Sequence, residues 1–97
     1  MPELARPWHW PIVIRRWATD HEFEQKEFFI RLVTEACIDL YRSKAPKDEP
    51  ESPRTSALRY IRSKVFEMDC ERIGINPDFL RREIADHGPN VGMGDLK

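Results

Sequence analysis

The sequence predicts an all-α protein, a small helical bundle of one long helix plus a three-helix segment that contains a helix-turn-helix. Three observations predict this class. Apolar residues recur at spacings of three and four, helix-start signals precede the main apolar patterns, and most prolines and glycines stand between those patterns. The 97 residues leave room for one domain, expected over 1–88, and a core of that size favours stabilisation by a partner.

The first segment, 1–18, is predicted to be an irregular arm that ends in a short helix. Its prolines remove backbone donors and disfavour regular structure near the start of the chain. Trp10, Ile14 and Trp17 then fall on one face at i, i+4 and i+7, which predicts a short helix. A strand through Ile12 and Ile14 is the alternative.

The long helix is predicted over 20–44. Thr19 and Glu22 have the spacing of a capping box at its start. Glu22, Glu24 and Glu27 suit the positive end of the helix dipole, with an acidic docking site as the alternative. This helix is also the expected contact of a homodimer. Its apolar face comprises Phe29, Leu32, Val33, Ala36, Leu40 and Tyr41.

The stretch 45–54 holds three prolines among charged and serine residues, which predicts a solvated linker. Three helices are predicted over 55–87. The first is interrupted at Ser63, which caps the second, and the second ends at Gly74. A favoured cap followed by proline and aspartate, residues 76–78, starts the third. The remainder, 89–97, is predicted to be a flexible tail.

The stretch 66–84 has the spacing of a helix-turn-helix. Cys70 is the small residue where two helices cross, Gly74 occupies the turn, and Leu80 with Ile84 forms the edge that locks the helices together. A packed bundle half, with the arginines as a solvated face, is the alternative.

If this segment binds DNA, its second helix enters the major groove, where an arginine can bond guanine at two points. Asp78, Arg81 and Arg82 are then expected to point outward, with the two arginines at base edges, and Asn76 with the helix start is expected beside phosphate. Three further residues are expected to contact the phosphate backbone of the DNA: Arg59, Arg62 and Lys64.

A resemblance adds to this interpretation. The segment resembles small, mostly uncharacterised proteins carried by phages, prophages and other proteobacterial mobile elements, and residues 74–84 resemble the helix-turn-helix of sigma-factor region four. The resemblance implies a DNA-binding or transcription-regulating phage protein. It is carried by the run 57–63 and by Phe66, Cys70, Gly74, Ile75, Pro77, Leu80 and Arg81.

Charge favours a second hypothesis, a phage-encoded protein-interaction module that inhibits or adapts a host complex such as RNA polymerase or a nuclease complex. The net charge is −1, and over 54–86 seven basic residues stand against six acidic ones, whereas a protein that neutralises several phosphates is usually more basic. Trp8, Trp10 and Trp17 are the candidate partner-binding residues. Packing in the core or in a dimer is the alternative for them.

Other functional classes lack a signal in the sequence. No run approaches the length of a membrane helix, and His9, His21 and His87 are scattered, without the spacing of a zinc site. No nucleophile motif or phosphate-binding glycine loop is present, so we expect no enzyme and no cofactor. Cys37 and Cys70 are predicted to be buried free thiols of a cytoplasmic protein, with a disulfide as the alternative.

Overall fold

A computed structural model describes residues 9–18, 26–42, 51–88 and 91–96, and these residues form an all-α fold, as predicted. Within those ranges there are five α-helices, a short 3-10 helix that follows the last of them, and no strand. None of the helices is both long and apolar enough to cross a bilayer. The helices are α1 (Trp10–Trp17), α2 (Lys26–Asp39), α3 (Pro53–Arg62), α4 (Lys64–Arg72) and α5 (Pro77–His87), followed by the 3-10 turn Met93–Asp95.

Helix α1 confirms the predicted short helix and removes the strand alternative. Trp10 and Ile14 are buried, and Pro11 sits in the first turn, where its missing N–H costs no hydrogen bond. Ile12, on the opposite side, is exposed. The arm before residue 9 lies outside the described residues.

Helix α2 is the central element, because α1, α3 and α4 all pack against it. It ends at Asp39, before the predicted end at Lys44, and the chain turns at once. Arg54 explains the early end: its side chain donates to the carbonyl of Leu40 at 2.7 Å and its backbone N–H donates to the carbonyl of Arg42. The capping box at residues 19–22 lies outside the described residues.

Helix α3 begins at Pro53, so the predicted linker 45–54 extends too far. Proline at the first helical position loses no hydrogen bond and its φ suits a helix. Ser52 caps this start by accepting from the N–H of Thr55 at 3.2 Å. Residues 43–50 lie outside the described part of the chain.

Ser63 separates α3 from α4, as the sequence predicts. Its backbone is extended (φ −83°, ψ 163°), which ends the first helix. Its hydroxyl donates to the carbonyl of Tyr60 at 2.6 Å and accepts from the N–H of Phe66 at 3.3 Å. One residue therefore closes one helix and starts the next.

The turn between α4 and α5 also confirms its prediction. Gly74 has φ 77°, a left-handed conformation that glycine adopts without steric cost, and the N–H of Ile75 returns to the carbonyl of Cys70 at 2.9 Å. The Asn76 side chain caps α5 by accepting from the N–H groups of Asp78 and Phe79 at 2.8 and 3.1 Å. The chain order of a helix-turn-helix is therefore present.

The predicted flexible tail is wrong for residues 91–96. Val91 and Leu96 are both buried, and the 3-10 turn between them packs on α5. The carboxylate of Asp95 accepts from the N–H of Gly92 at 3.0 Å, which fixes the turn. Two apolar side chains anchor a segment whose glycines alone indicated mobility.

Candidate interaction surface

Arg81 does not point outward from α5 as predicted, but into the fold. The residue is only 7% exposed, and its side chain donates to the carbonyl of Ile61 from Nε at 3.0 Å and from Nη2 at 2.8 Å. A weaker contact of 3.4 Å joins Nη2 to the carbonyl of Ser63. Because α3 ends before Ser63, the carbonyls of its last turn have no N–H partner within the helix. The guanidinium of Arg81 provides donors for the Ile61 carbonyl instead.

The charge of Arg81 is compensated by its surroundings. Its Nη1 lies 3.6 Å from a carboxylate oxygen of Glu67 and 3.5 Å from one of Asp78, and its guanidinium lies 5.2 Å from the ring centre of Phe66. This guanidinium is not available to a base edge. A sequence signal was present, since Arg81 lies between Pro77 and Ile84 on the apolar side of α5.

The solvent face of α5 is acidic. Asp78, Phe79, Arg82 and Asp86 are exposed there, so two carboxylates accompany one guanidinium. Arg82 makes no ion pair with another described residue. Because Asp78 also lies 3.5 Å from Arg81, this face offers a phosphate backbone little net positive charge.

The other predicted nucleic-acid contacts divide into engaged and solvated side chains. Arg59 forms a two-point ion pair with Glu51, at 2.9 and 2.7 Å. The Oδ1 of Asn76 is used in capping α5. Arg62 and Lys64 are exposed on either side of Ser63, and neither forms an ion pair with a described residue.

The tryptophans predicted as partner contacts have different environments. Trp10 is fully buried and its indole N–H donates to the hydroxyl of Tyr41 at 3.1 Å, so the packing interpretation is right for this residue. Trp17 is half-buried and meets Phe79 edge-on, with ring centres 5.1 Å apart. Trp8 lies outside the described residues.

Trp17 belongs to one of two aromatic pairs that lie at helix ends. Phe79, near the start of α5, contacts Trp17 at the end of α1. Phe28 and Phe29, in the first turn of α2, meet edge-on at 5.3 Å, and the guanidinium of Arg72, at the end of α4, lies 4.9 Å from the Phe29 ring centre. The name "aromatic end" is used below for Trp17, Phe28, Phe29, Arg72 and Phe79.

Two connections link the helices that carry the aromatic end. Arg15 of α1 pairs with Glu27 of α2, and the turn 73–76 joins α4 to α5. Two of its rings are open to solvent, Phe28 at 58% and Phe79 at 40% exposure. The sequence patterns did not single out these two residues, because each lies beside an apolar stripe and not on it. Phe28 precedes Phe29, and Phe79 precedes Leu80.

The two thiols and the hydrogen bond between Tyr60 and Asp69 are structural features. Cys37 and Cys70 are free and fully buried, and burial raises the pKa of Cys70 to about 12 and raises that of Cys37 as well. Nucleophilic cysteines need a lowered pKa. The hydroxyl of Tyr60 donates to the buried Asp69 at 2.7 Å, and burial followed by this bond raises the pKa of Tyr60.

A shallow cleft of about 190 Å³ lies between α2 and α3. Asp39 at its edge pairs with Arg42 at 3.0 Å, and burial raises the pKa of Asp39. Among the described residues, no three histidine, cysteine, aspartate or glutamate side chains are grouped as a metal site requires. The cleft is lined by Leu32, Glu35, Ala36, Asp39, Ser56, Ala57 and Tyr60.

Comparison with known proteins places the chain in no family. No family model matches the sequence, and no characterised protein or solved structure matches it significantly. Its function is therefore inferred from the side chains described above.

Proposed function

We propose that this protein is an interaction module that binds a partner protein through its aromatic end. One observation carries the proposal. The helix that would read DNA presents Phe79 to solvent beside Asp78, whereas its Arg81 is buried beneath α3.

Exposed aromatic rings are suited to protein binding. Phe28 and Phe79 still expose apolar area, and Trp17 supports Phe79 from beneath through an edge-on contact. Burying a phenylalanine contributes about 1.5–3 kcal/mol. Aromatic residues held by neighbours also dominate the binding energy of many interfaces.

The charges beside the rings indicate the chemistry of the partner. Asp78, Arg82 and Asp86 share the solvent face of α5 with Phe79. The exposed Arg72 lies over Phe29, so the surroundings of the rings favour an apolar pocket rimmed by charges of both signs. A host complex such as RNA polymerase or a nuclease complex remains the proposed class of partner. The free thiols suit a cytoplasmic setting, where thiols stay reduced.

A DNA-binding transcription regulator is the second candidate. It is favoured by the helix-turn-helix chain order of α4 and α5 and by the exposed Arg62, Lys64 and Arg82, which make no ion pair within the described part of the chain. These cations are suited to phosphate contacts, which supply affinity without sequence readout.

A capture experiment with the full chain tests the first candidate. The wild type and an Ile12→Ala control are expected to retain one host protein in stoichiometric amount, since Ile12 is exposed on the side of α1 opposite its buried face. Phe28→Ala combined with Phe79→Ala is expected to weaken that binding about 30-fold, equivalent to about 2 kcal/mol. Equal binding by a variant that keeps its helical circular dichroism would contradict the proposal.

A salt titration of duplex binding tests the second candidate. If the regulator hypothesis holds, affinity falls steeply as salt rises, and the triple variant Arg62→Ala, Lys64→Ala, Arg82→Ala abolishes binding. Absence of binding at low salt would remove DNA contact from consideration.

A further inference from the structure

We infer that the outer face of α4 pairs with the same face of a second copy of this chain, in an antiparallel two-fold dimer. This surface is separate from the aromatic end, so the inference does not depend on the proposed function. It is carried by exposed apolar side chains, by the order of charges along α4 and by the position of α2.

The first observation is apolar exposure on α4. Val65 and Met68 are 56% and 50% exposed, although Phe66 and Cys70 on the opposite side of the same helix are fully buried. Val65 and Met68 are separated by three residues and therefore share a surface. Beside them lies a depression of about 330 Å³ lined by Lys64, Glu67, Met68 and Glu71.

The second observation is that Lys64 and Glu71 are placed against the helix dipole. Lys64 occupies the first position of α4 and Glu71 lies in its last turn, whereas a helix favours acidic residues at its start and basic residues at its end. Neither forms an ion pair with a described residue. Within one copy this arrangement is locally unfavourable, and no described residue compensates it with an ion pair.

A two-fold axis across α4 supplies the missing partners. Residues 64 and 71 are seven apart, about two helical turns, and so lie on one face with Met68 between them. In an antiparallel pair Lys64 of each copy lies opposite Glu71 of the other, and the pair forms twice by symmetry. Parallel pairing would instead place like charges opposite each other.

The third observation is that α2, the helix predicted to mediate a dimer, is occupied. It packs against α1, α3 and α4. Its exposed stripe is mostly charged and includes Glu27, Arg31 and Glu35, with Phe28 at the aromatic end. The face of α4 is the better candidate for a second copy.

One nine-residue helix covers less than the roughly 800 Å² per partner of a standard stable interface. The dimer is therefore expected to be weak and to form in proportion to concentration. Raising the salt concentration should weaken it further, because its charge pairs lie at the surface.

Charge reversal tests the pairing by sedimentation equilibrium of the full chain over a range of concentrations. Lys64→Glu and Glu71→Lys should each raise the dimer dissociation constant about tenfold or more, because each places two like-charged contacts across the interface. The double reversal should return the dissociation constant to within about threefold of wild type, since the pairs of opposite charge form again with their signs exchanged. Both single changes follow the helix dipole, so they do not endanger the fold.

Two further variants complete the test. Met68→Glu should abolish the dimer, whereas Arg31→Glu on α2 should leave it unchanged. A monomer at every concentration, a dimer insensitive to the reversals, or a double reversal that fails to restore pairing would each overturn the inference. A dimer lost only in Arg31→Glu would assign the contact to α2 instead.

Discussion

Arg81 joins three helices through one side chain. It belongs to α5, bonds the last carbonyls of α3, and lies over a ring of α4. A buried guanidinium of this kind stabilises a fold only while its acceptors are present, because both the charge and the carbonyls are costly to leave unpaired.

Replacing this guanidinium should destabilise the protein strongly. Arg81→Met keeps much of the side-chain volume but leaves the Ile61 carbonyl without its donors, so we expect the free energy of unfolding to fall by about 3 kcal/mol in urea denaturation. The neighbouring Arg82→Met should change it by less than about 0.5 kcal/mol, because Arg82 is exposed. Similar effects of the two changes would show that Arg81 does not hold the helices together.

Individual side chains were the hardest feature to predict. Arginine is usually exposed, and the sequence does not reveal that the end of α3 leaves carbonyls within reach of residue 81, twenty positions later. Trp10 was open to two interpretations because a tryptophan can anchor either a core or an interface. Only the placement of α1 on α2 decides between them.

At the scale of elements, Ser63 connects two helices without a loop. Its hydroxyl both donates to α3 and accepts from α4, and its extended backbone lies between them. The relative placement of α3 and α4 therefore depends on one residue.

Removing the Ser63 hydroxyl should weaken both helix ends. Ser63→Ala is expected to lower the free energy of unfolding by about 1–2 kcal/mol, because the cap of α4 and the bond to the Tyr60 carbonyl are lost together. Ser63→Thr retains a hydroxyl and should recover most of that loss. Equal stability of the alanine and threonine variants, measured by denaturant titration, would show that the hydroxyl is unimportant.

The starts of α3, α4 and α5 were easier to predict than the end of α2. Ser52, Ser63 and Asn76 cap the helix starts through bonds to residues two or three positions ahead. Short-range spacing therefore suffices to find Ser63 and Asn76. The cap at Ser52 was not predicted, because the start of α3 was placed two residues too late. The end of α2 depends on Arg54, the last residue of the predicted linker. A tertiary contact of that kind has no local pattern.

For the molecule as a whole, the C-terminal segment completes the core. Leu96 is fully buried and Val91 is nearly so, and the 3-10 turn between them contacts α5. The all-α class followed from helical periodicity, but this segment did not, because an apolar pair five residues apart among glycines has neither a helix nor a strand period.

Shortening the last buried side chain should therefore reduce global stability. Leu96→Ala is expected to lower the free energy of unfolding by about 2–4 kcal/mol, through lost apolar burial and the cavity left behind. Ile12→Ala, at an exposed position, should have little effect in the same denaturation experiment. A Leu96→Ala variant as stable as this control would show that the segment is dispensable.

The two buried cysteines allow the rate at which the helical bundle opens to be measured. Both sulfur atoms are sealed from solvent at the centre of the molecule, one on α2 and one on α4. An alkylating reagent can reach them only when these helices separate, so the labelling rate at saturating reagent equals the rate of that separation. The rate at which α2 and α4 separate in the native protein can thus be measured without attaching an external probe.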